Sequence, residues 1–134
     1  MIFASGLRRA VFTAGNDIKE LYAPRSTWRR YREFWLTQTK FLARLLETRL
    51  ATVCAIRGAC PAGGCVVALC CDYRVQTTSG SFGLNEVALG ISVPKYWAEL
   101  FLYRCTDRVK GERLLQLLSL LHISEPTRRV EIAY

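Results

Sequence analysis

Between residues 26 and 49 the side chains Trp28, Tyr31, Phe34, Trp35, Gln38, Phe41, Leu42, Leu45 and Leu46 recur near helical spacing, with Arg29, Arg30, Arg32, Lys40 and Arg44 set between them. Apolar positions three, four and seven residues apart fall on one face of an α-helix, so this stretch predicts a long amphipathic helix. Pro24, Ser26 and Thr27 mark its start, because a hydroxyl side chain at the first position accepts from an otherwise unpaired helical N–H.

Elsewhere the pattern changes period. Ile2-Phe3-Ala4 and Ala10-Val11-Phe12 are short β-compatible segments, and Thr13-Ala14-Gly15-Asn16-Asp17 supplies turn chemistry with a capping residue before Ile18. Thr52-Val53-Cys54-Ala55-Ile56 is a β-branched run stopped by Gly58, which predicts a buried strand leading into a turn at Pro61-Ala62-Gly63. From Gly64 to Cys71 the chain is apolar nearly all round, the signature of a helix covered on most sides. Tyr73-Arg74-Val75-Gln76-Thr77 alternates as a strand, Ser79-Gly80 turns, and residues 81–90 are expected to be extended. Pro94 precedes an amphipathic helix over 96–105, and Asp107 caps a last one carrying Leu114, Leu115, Leu117 and Leu118. Strands alternating with helices predict an α/β fold. The polar, aperiodic stretch after Leu121 departs from this pattern, so residues 1–121 are expected to form the domain and 122–134 an exposed or foreign tail.

Composition narrows the class. The 134 residues, 51% of them hydrophobic, match one globular domain, and no apolar run reaches the roughly 20 residues of a membrane-spanning helix. A formal charge of +8 favours anionic partners, yet the arginines are scattered, which reads as a solvated basic surface or contacts to a small phosphate-bearing ligand before it reads as a nucleic-acid site. The six cysteines include no Cys-x-x-Cys pair and the chain has one histidine, His122, so no metal site is expected; buried free thiols of an intracellular protein are.

Two features bear chemistry. The junction Ala59-Cys60-Pro61-Ala62-Gly63-Gly64 lets backbone amides approach a ligand closely, and the helix after it begins with N–H donors that have no intrahelical acceptor. Such a turn stabilises a negative oxygen, although Gly15 and Gly63 also have a plain reading as residues that permit tight turns. Glu86 stands among Leu84, Val87 and Leu89, whose low polarity is expected to raise its pKa by desolvation; its plain reading is a surface or ion-paired carboxylate. An anion-stabilising turn and a carboxylate in an apolar setting together suit proton abstraction next to a carbonyl. Trp28, Trp35 and Trp97 read as core packing.

Three segments resemble the crotonase (enoyl-CoA hydratase/isomerase) superfamily: Phe12-Thr13-Ala14-Gly15-Asn16-Asp17-Ile18, the stretch from Gly58 to Asp72, and Phe82-Gly83-Leu84-Asn85-Glu86-Val87-Ala88-Leu89-Gly90. Their order and spacing make the likeness specific, and within the superfamily it points toward the mitochondrial Δ3,Δ2-enoyl-CoA isomerases. The resemblance implies a crotonase-like spiral of ββα turns, incomplete at both ends, because such a domain has about twice this length. It implies oxyanion-hole amides at Asn16 and Gly63, a catalytic carboxylate at Glu86, and substrate contacts at Phe12, Ala14, Gly15 and Gly64. Hydratases of the superfamily carry a second glutamate where this chain has Val66, so the resemblance implies double-bond isomerisation, 3-enoyl-CoA to trans-2-enoyl-CoA, with an acyl-CoA substrate. No separate cofactor is implied, since coenzyme A arrives as part of the substrate. It further implies a mitochondrial matrix location, with the peroxisome as alternative, and assembly as trimers or hexamers. The competing expectations are an inert truncated subunit and an RNA-binding relative using the arginine-rich helix.

Overall fold

The computed structural model describes residues 1–22 and 24–117. In chain order they form β1 (Ile2–Ala4), a 3-10 turn (Ile18–Glu20), α1 (Trp28–Glu47), β2 (Val53–Ile56), β3 (Ala59–Pro61), α2 (Gly63–Cys70), β4 (Tyr73–Gln76), β5 (Ser81–Gly83), a second 3-10 turn (Glu86–Leu89), α3 (Lys95–Arg104) and α4 (Arg108–Leu117). Strands β1, β2 and β4 make one parallel sheet with β2 central, and β3 pairs with β5 in a second parallel pair. Parallel strands cannot be joined by a tight hairpin, so each return runs through a helix, α1 between β1 and β2 and α2 between β2 and β4. The architecture is α/β, as the alternation of periods predicts.

Helix α2 is the centre of the molecule. Every residue in it except Val67 is buried, and it packs against α1, α3, β3 and β5. Leu42 and Leu45 reach it from α1, Phe82 and Leu84 from the β5 end, and Trp97 and Phe101 from α3. A helix buried this deeply must satisfy its last carbonyls within the protein. Two arginines do so: Arg74 Nη1 donates to Ala68 O and Cys71 O, and Arg104 Nε donates to Leu69 O at 2.9 Å. Beside them Asp72 Oδ2 accepts from the Thr52 amide and hydroxyl, both at 2.9 Å, and Thr52 Oγ1 accepts from the Asp72 amide. The turn into β2 is thereby fastened to the turn into β4. All six cysteines are free and five are buried, and burial pushes the Cys60 and Cys70 thiols up to about 12.

Four local expectations need correction. Ala10-Val11-Phe12 forms no strand; it contributes a single bridge, Val11 to Ala59. Residues 59–61, read as part of the turn, are β3, because β5 supplies a partner for their amides. The segment after β5 is not extended throughout: Glu86–Leu89 closes into a 3-10 turn, ended by Gly90 in the left-handed region at φ 70° with its amide on Val87 O at 2.9 Å. Trp28 is not core, with 77% of its surface exposed, whereas Trp97 is buried as expected. The helix starts agree with their signals, Thr27 accepting from the Arg30 amide, Asp17 from Lys19 and Asp107 from Lys110. The tail at 122–134, with His122, and Leu118 lie outside the described residues.

Candidate active site

Gly15, at φ 88°, turns the loop after Val11 back toward the start of α2, and its amide is braced by Thr13 Oγ1 at 3.2 Å. A Cβ on Gly15 would come within 3.0 Å of the Ala62 Cβ and 3.6 Å of the Gly63 amide nitrogen. A Cβ on Gly63 would overlap the Asn16 side-chain oxygen, and one on Gly64 would overlap Thr13 Cγ2. Two loops more than forty residues apart in sequence therefore meet where glycine backbone leaves room for the Asn16, Thr13 and Ala62 side chains. Gly63 itself is ordinary helix, so its smallness serves close approach and not turn conformation.

Ala62 carries the reversal from β3 into α2 at φ 53° and ψ −128°, and it is the one residue other than glycine with positive φ among the described residues. An L-residue held there costs on the order of 1–3 kcal/mol, and such strain concentrates at functional turns. Its amide is tied to Gly83 O at 3.0 Å, which anchors the turn to the end of β5, three residues before Glu86. The helix then opens with Val66 N–H on Ala62 O, leaving the Gly63 amide ahead of the first intrahelical bond. Neither the Asn16 nor the Gly63 amide is paired with an acceptor among the described residues.

A cavity of about 640 Å³ opens beside this turn, and Ala14, Asn16, Ala62, Asn85 and Glu86 line one side of it. Glu86 is 6% exposed, and neither carboxylate oxygen has a hydrogen-bond partner among the described residues. Desolvation raises its pKa above the ordinary carboxylate value, because burial penalises the charged form by more than its own backbone amide stabilises it. Val66, where a second acid would have stood, is a fully buried core residue. Glu86 is the only acid among the described residues that line the cavity.

The predicted site residues divide between two cavities that share Asn16. Glu86 and Ala14 face the larger one; Gly63, Gly15, Gly64 and Phe12 border a smaller one of about 400 Å³ on the other side of Asn16. Much of the remaining lining of the larger cavity is aromatic. Ring contacts run without a break from Trp28 to Tyr31 (5.8 Å), Trp35 (6.1 Å), Trp97 (5.7 Å) and Tyr96 (6.2 Å), with Arg32 as the one cation among the described residues of the lining. The spacing of Trp28, Tyr31 and Trp35 marks a common helix face, but periodicity identifies the face and not what lies opposite it. The sequence places Ala62 in the turn, but nothing local marks it as the residue that takes the positive φ.

The strained Ala62 turn and the desolvated Glu86 share the lining of the larger cavity, and Asn16 joins it to the smaller one that Gly63 borders. Residues 1–128 match the family described as Enoyl-CoA hydratase/isomerase, and the chain belongs to that family. It is 41% identical over 119 residues to human "Enoyl-CoA delta isomerase 1, mitochondrial", covering 82% of this chain and 36% of the relative, and 38% identical over 117 residues to the mouse protein of that name. The crystal structure of human mitochondrial delta3-delta2-enoyl-CoA isomerase superposes with a TM-score of 0.82 at 38% identity, covering 92% of this chain and 47% of that one. An enoyl-CoA hydratase/carnithine racemase of Magnetospirillum magneticum, 21% identical with a TM-score of 0.78, shares the fold. The fold is that of the crotonase superfamily, and the chain spans less than half the length of the relatives it matches.

Proposed function

We propose that this chain carries the site of an enoyl-CoA isomerase that moves the double bond of a 3-enoyl-CoA to the trans-2 position. Glu86 takes a proton from C2, the charge shifts onto the thioester oxygen, and the same carboxyl returns the proton at C4, so one acid serves both halves of the reaction. The amides of Asn16 and Gly63 receive the developing oxyanion, each such donor contributing about 3 kcal/mol to lowering the barrier. Apolar surroundings keep Glu86 basic enough to take a carbon-bound proton and then to give it back.

The observation that carries this reading is that Glu86 is the only acid on the cavity wall among the described residues. Adding water across a double bond needs a second carboxylate to orient the water; relocating hydrogen does not. Likeness to the human and mouse isomerases supports the same substrate class, and their names support a mitochondrial location. The basic balance of the chain suits a phosphate-bearing carrier such as coenzyme A.

The test supplies a 3-enoyl-CoA to the full chain and follows absorbance of the conjugated thioester. Conversion is expected, with a loss on the order of 10²- to 10⁴-fold in Glu86→Gln. Hydration of a 2-enoyl-CoA at a comparable rate, or conversion undiminished in Glu86→Gln, would refute the assignment.

A further inference from the structure

Gln38 lies in the third turn of α1, half-buried, and its Nε2 donates to Asn16 Oδ1 at 2.8 Å across 22 residues of sequence. The same Asn16 oxygen presses on Gly63 so closely that no Cβ fits between them. One side-chain oxygen therefore joins the long helix to both loops that furnish the anion pocket. Gln38, Asn16 and Gly63 together border the smaller cavity, whereas Glu86 lies on the larger one, so the polar pair stands behind the loop that Asn16 presents to the acid.

Gln38 has no other hydrogen-bond partner for its side chain among the described residues. Its Oε1 is buried without a hydrogen-bond partner among the described residues, on a helix whose neighbouring inward positions are Trp35, Leu42 and Leu45. An apolar residue would pack there at lower desolvation cost than an amide whose oxygen is buried without a partner among the described residues.

We propose that Gln38 is a positioning residue that sets the separation of the Asn16 and Gly63 amides by clamping the Asn16 side chain against the first residue of α2. The inference rests on the reading of those two amides as the oxyanion donors. Displacement of a donor by about 1 Å is enough to cost up to about a hundredfold in rate, and the bond from Gln38 is the one hydrogen bond on the Asn16 side chain among the described residues.

The experiment compares Gln38→Leu, Gln38→Met and Gln38→Glu in the full chain. In Gln38→Leu, kcat is expected to fall at least about tenfold with KM within about twofold and thermal stability little changed, as befits an interaction made for the transition state. Gln38→Met keeps the length without the amide and should behave alike, which covers the case of a leucine variant that does not fold. Gln38→Glu sets a carboxylate against the Asn16 side-chain oxygen, with no donor left between them once it ionises, so its loss should deepen as pH rises through that carboxyl's titration, a signature that lost packing does not give. Wild-type kcat in a folded Leu or Met variant overturns the proposal, as does a rate loss accounted for by the unfolded fraction. Amide ¹H–¹⁵N resonances supply a readout independent of turnover: those of Asn16 and Gly63 should both move in Gln38→Leu while those of β4 stay. An unmoved Gly63 amide overturns the positioning role. Displaced amides in a protein whose wild type shows no isomerisation would instead sink the activity reading and leave the clamp standing.

Discussion

Gly64 and Thr13 touch so closely that a single methyl group on the glycine would occupy the space of the threonine Cγ2. This contact seals the loop before α1 onto the first turn of α2. Gly64→Ala is expected to cost about 1–3 kcal/mol by overpacking and to reduce activity through displacement of both loops. Thr13→Ser removes Cγ2 while keeping the hydroxyl that accepts from the Gly15 amide, so the double variant should recover most of the loss. Denaturant titration of the two single variants and the double checks this; additive losses would refute it.

Glu86 sets stability against reactivity. Its carboxyl is raised above the ordinary value by burial, so the native state binds more protons than the unfolded chain between the ordinary and the raised pKa, and stability falls as pH rises through that window. Glu86→Gln removes the titration. It should melt higher than wild type at neutral pH, with the difference vanishing below the ordinary carboxylate value, as thermal melts across pH would show.

On the proposed mechanism the same titration governs turnover. A base must be unprotonated to act, so kcat/KM for a 3-enoyl-CoA should rise with pH through an apparent pKa above the ordinary carboxylate value. A profile that is already flat at that value would place the working base elsewhere.

Ala62 holds a backbone conformation that glycine adopts freely. Ala62→Gly relieves strain of about 1–3 kcal/mol and loses back roughly 0.4–1 kcal/mol through the more flexible unfolded chain, for a neutral to stabilising net. Ala62→Val, β-branched at positive φ, should lose stability and activity together. Paired melting and rate measurements on the two variants separate these outcomes.

Trp28 is exposed yet borders the cavity. Trp28→Ala should leave stability within about 0.5 kcal/mol and raise KM for long acyl chains more than for short ones, read from a chain-length series.

Much of the fold is legible in the chain because local chemistry and tertiary demand agree there. Val53 to Ile56 reads as a strand, Thr27 as a cap, and the apolar run through Leu69 as a helix covered on most sides, and each is so in the structure. Where the reading fails, a distant partner decides. Val11 has strand character but one bridging partner, so no ladder grows. Ala59 to Pro61 becomes a strand only because β5 arrives beside it, and the turn over Glu86 to Leu89 closes through Gly90 and Ile91, whose amides bond back to Val87 and Glu86. The candidate site divides the same way. Asn16, Gly63 and Glu86 stand out as residue types at loop-to-helix junctions, while the Gln38 clamp and the Ala62 strain depend on segments far apart in sequence that no local pattern relates.

The chain has three tryptophans, and all of them border the larger cavity, two of them, Trp35 and Trp97, in contact with one another. No indole lies elsewhere to supply background. Intrinsic emission of the unlabelled molecule is thus a direct optical gauge of whether that space is filled, and a hydrocarbon tail entering it should shift the spectrum toward the blue as water leaves the rings.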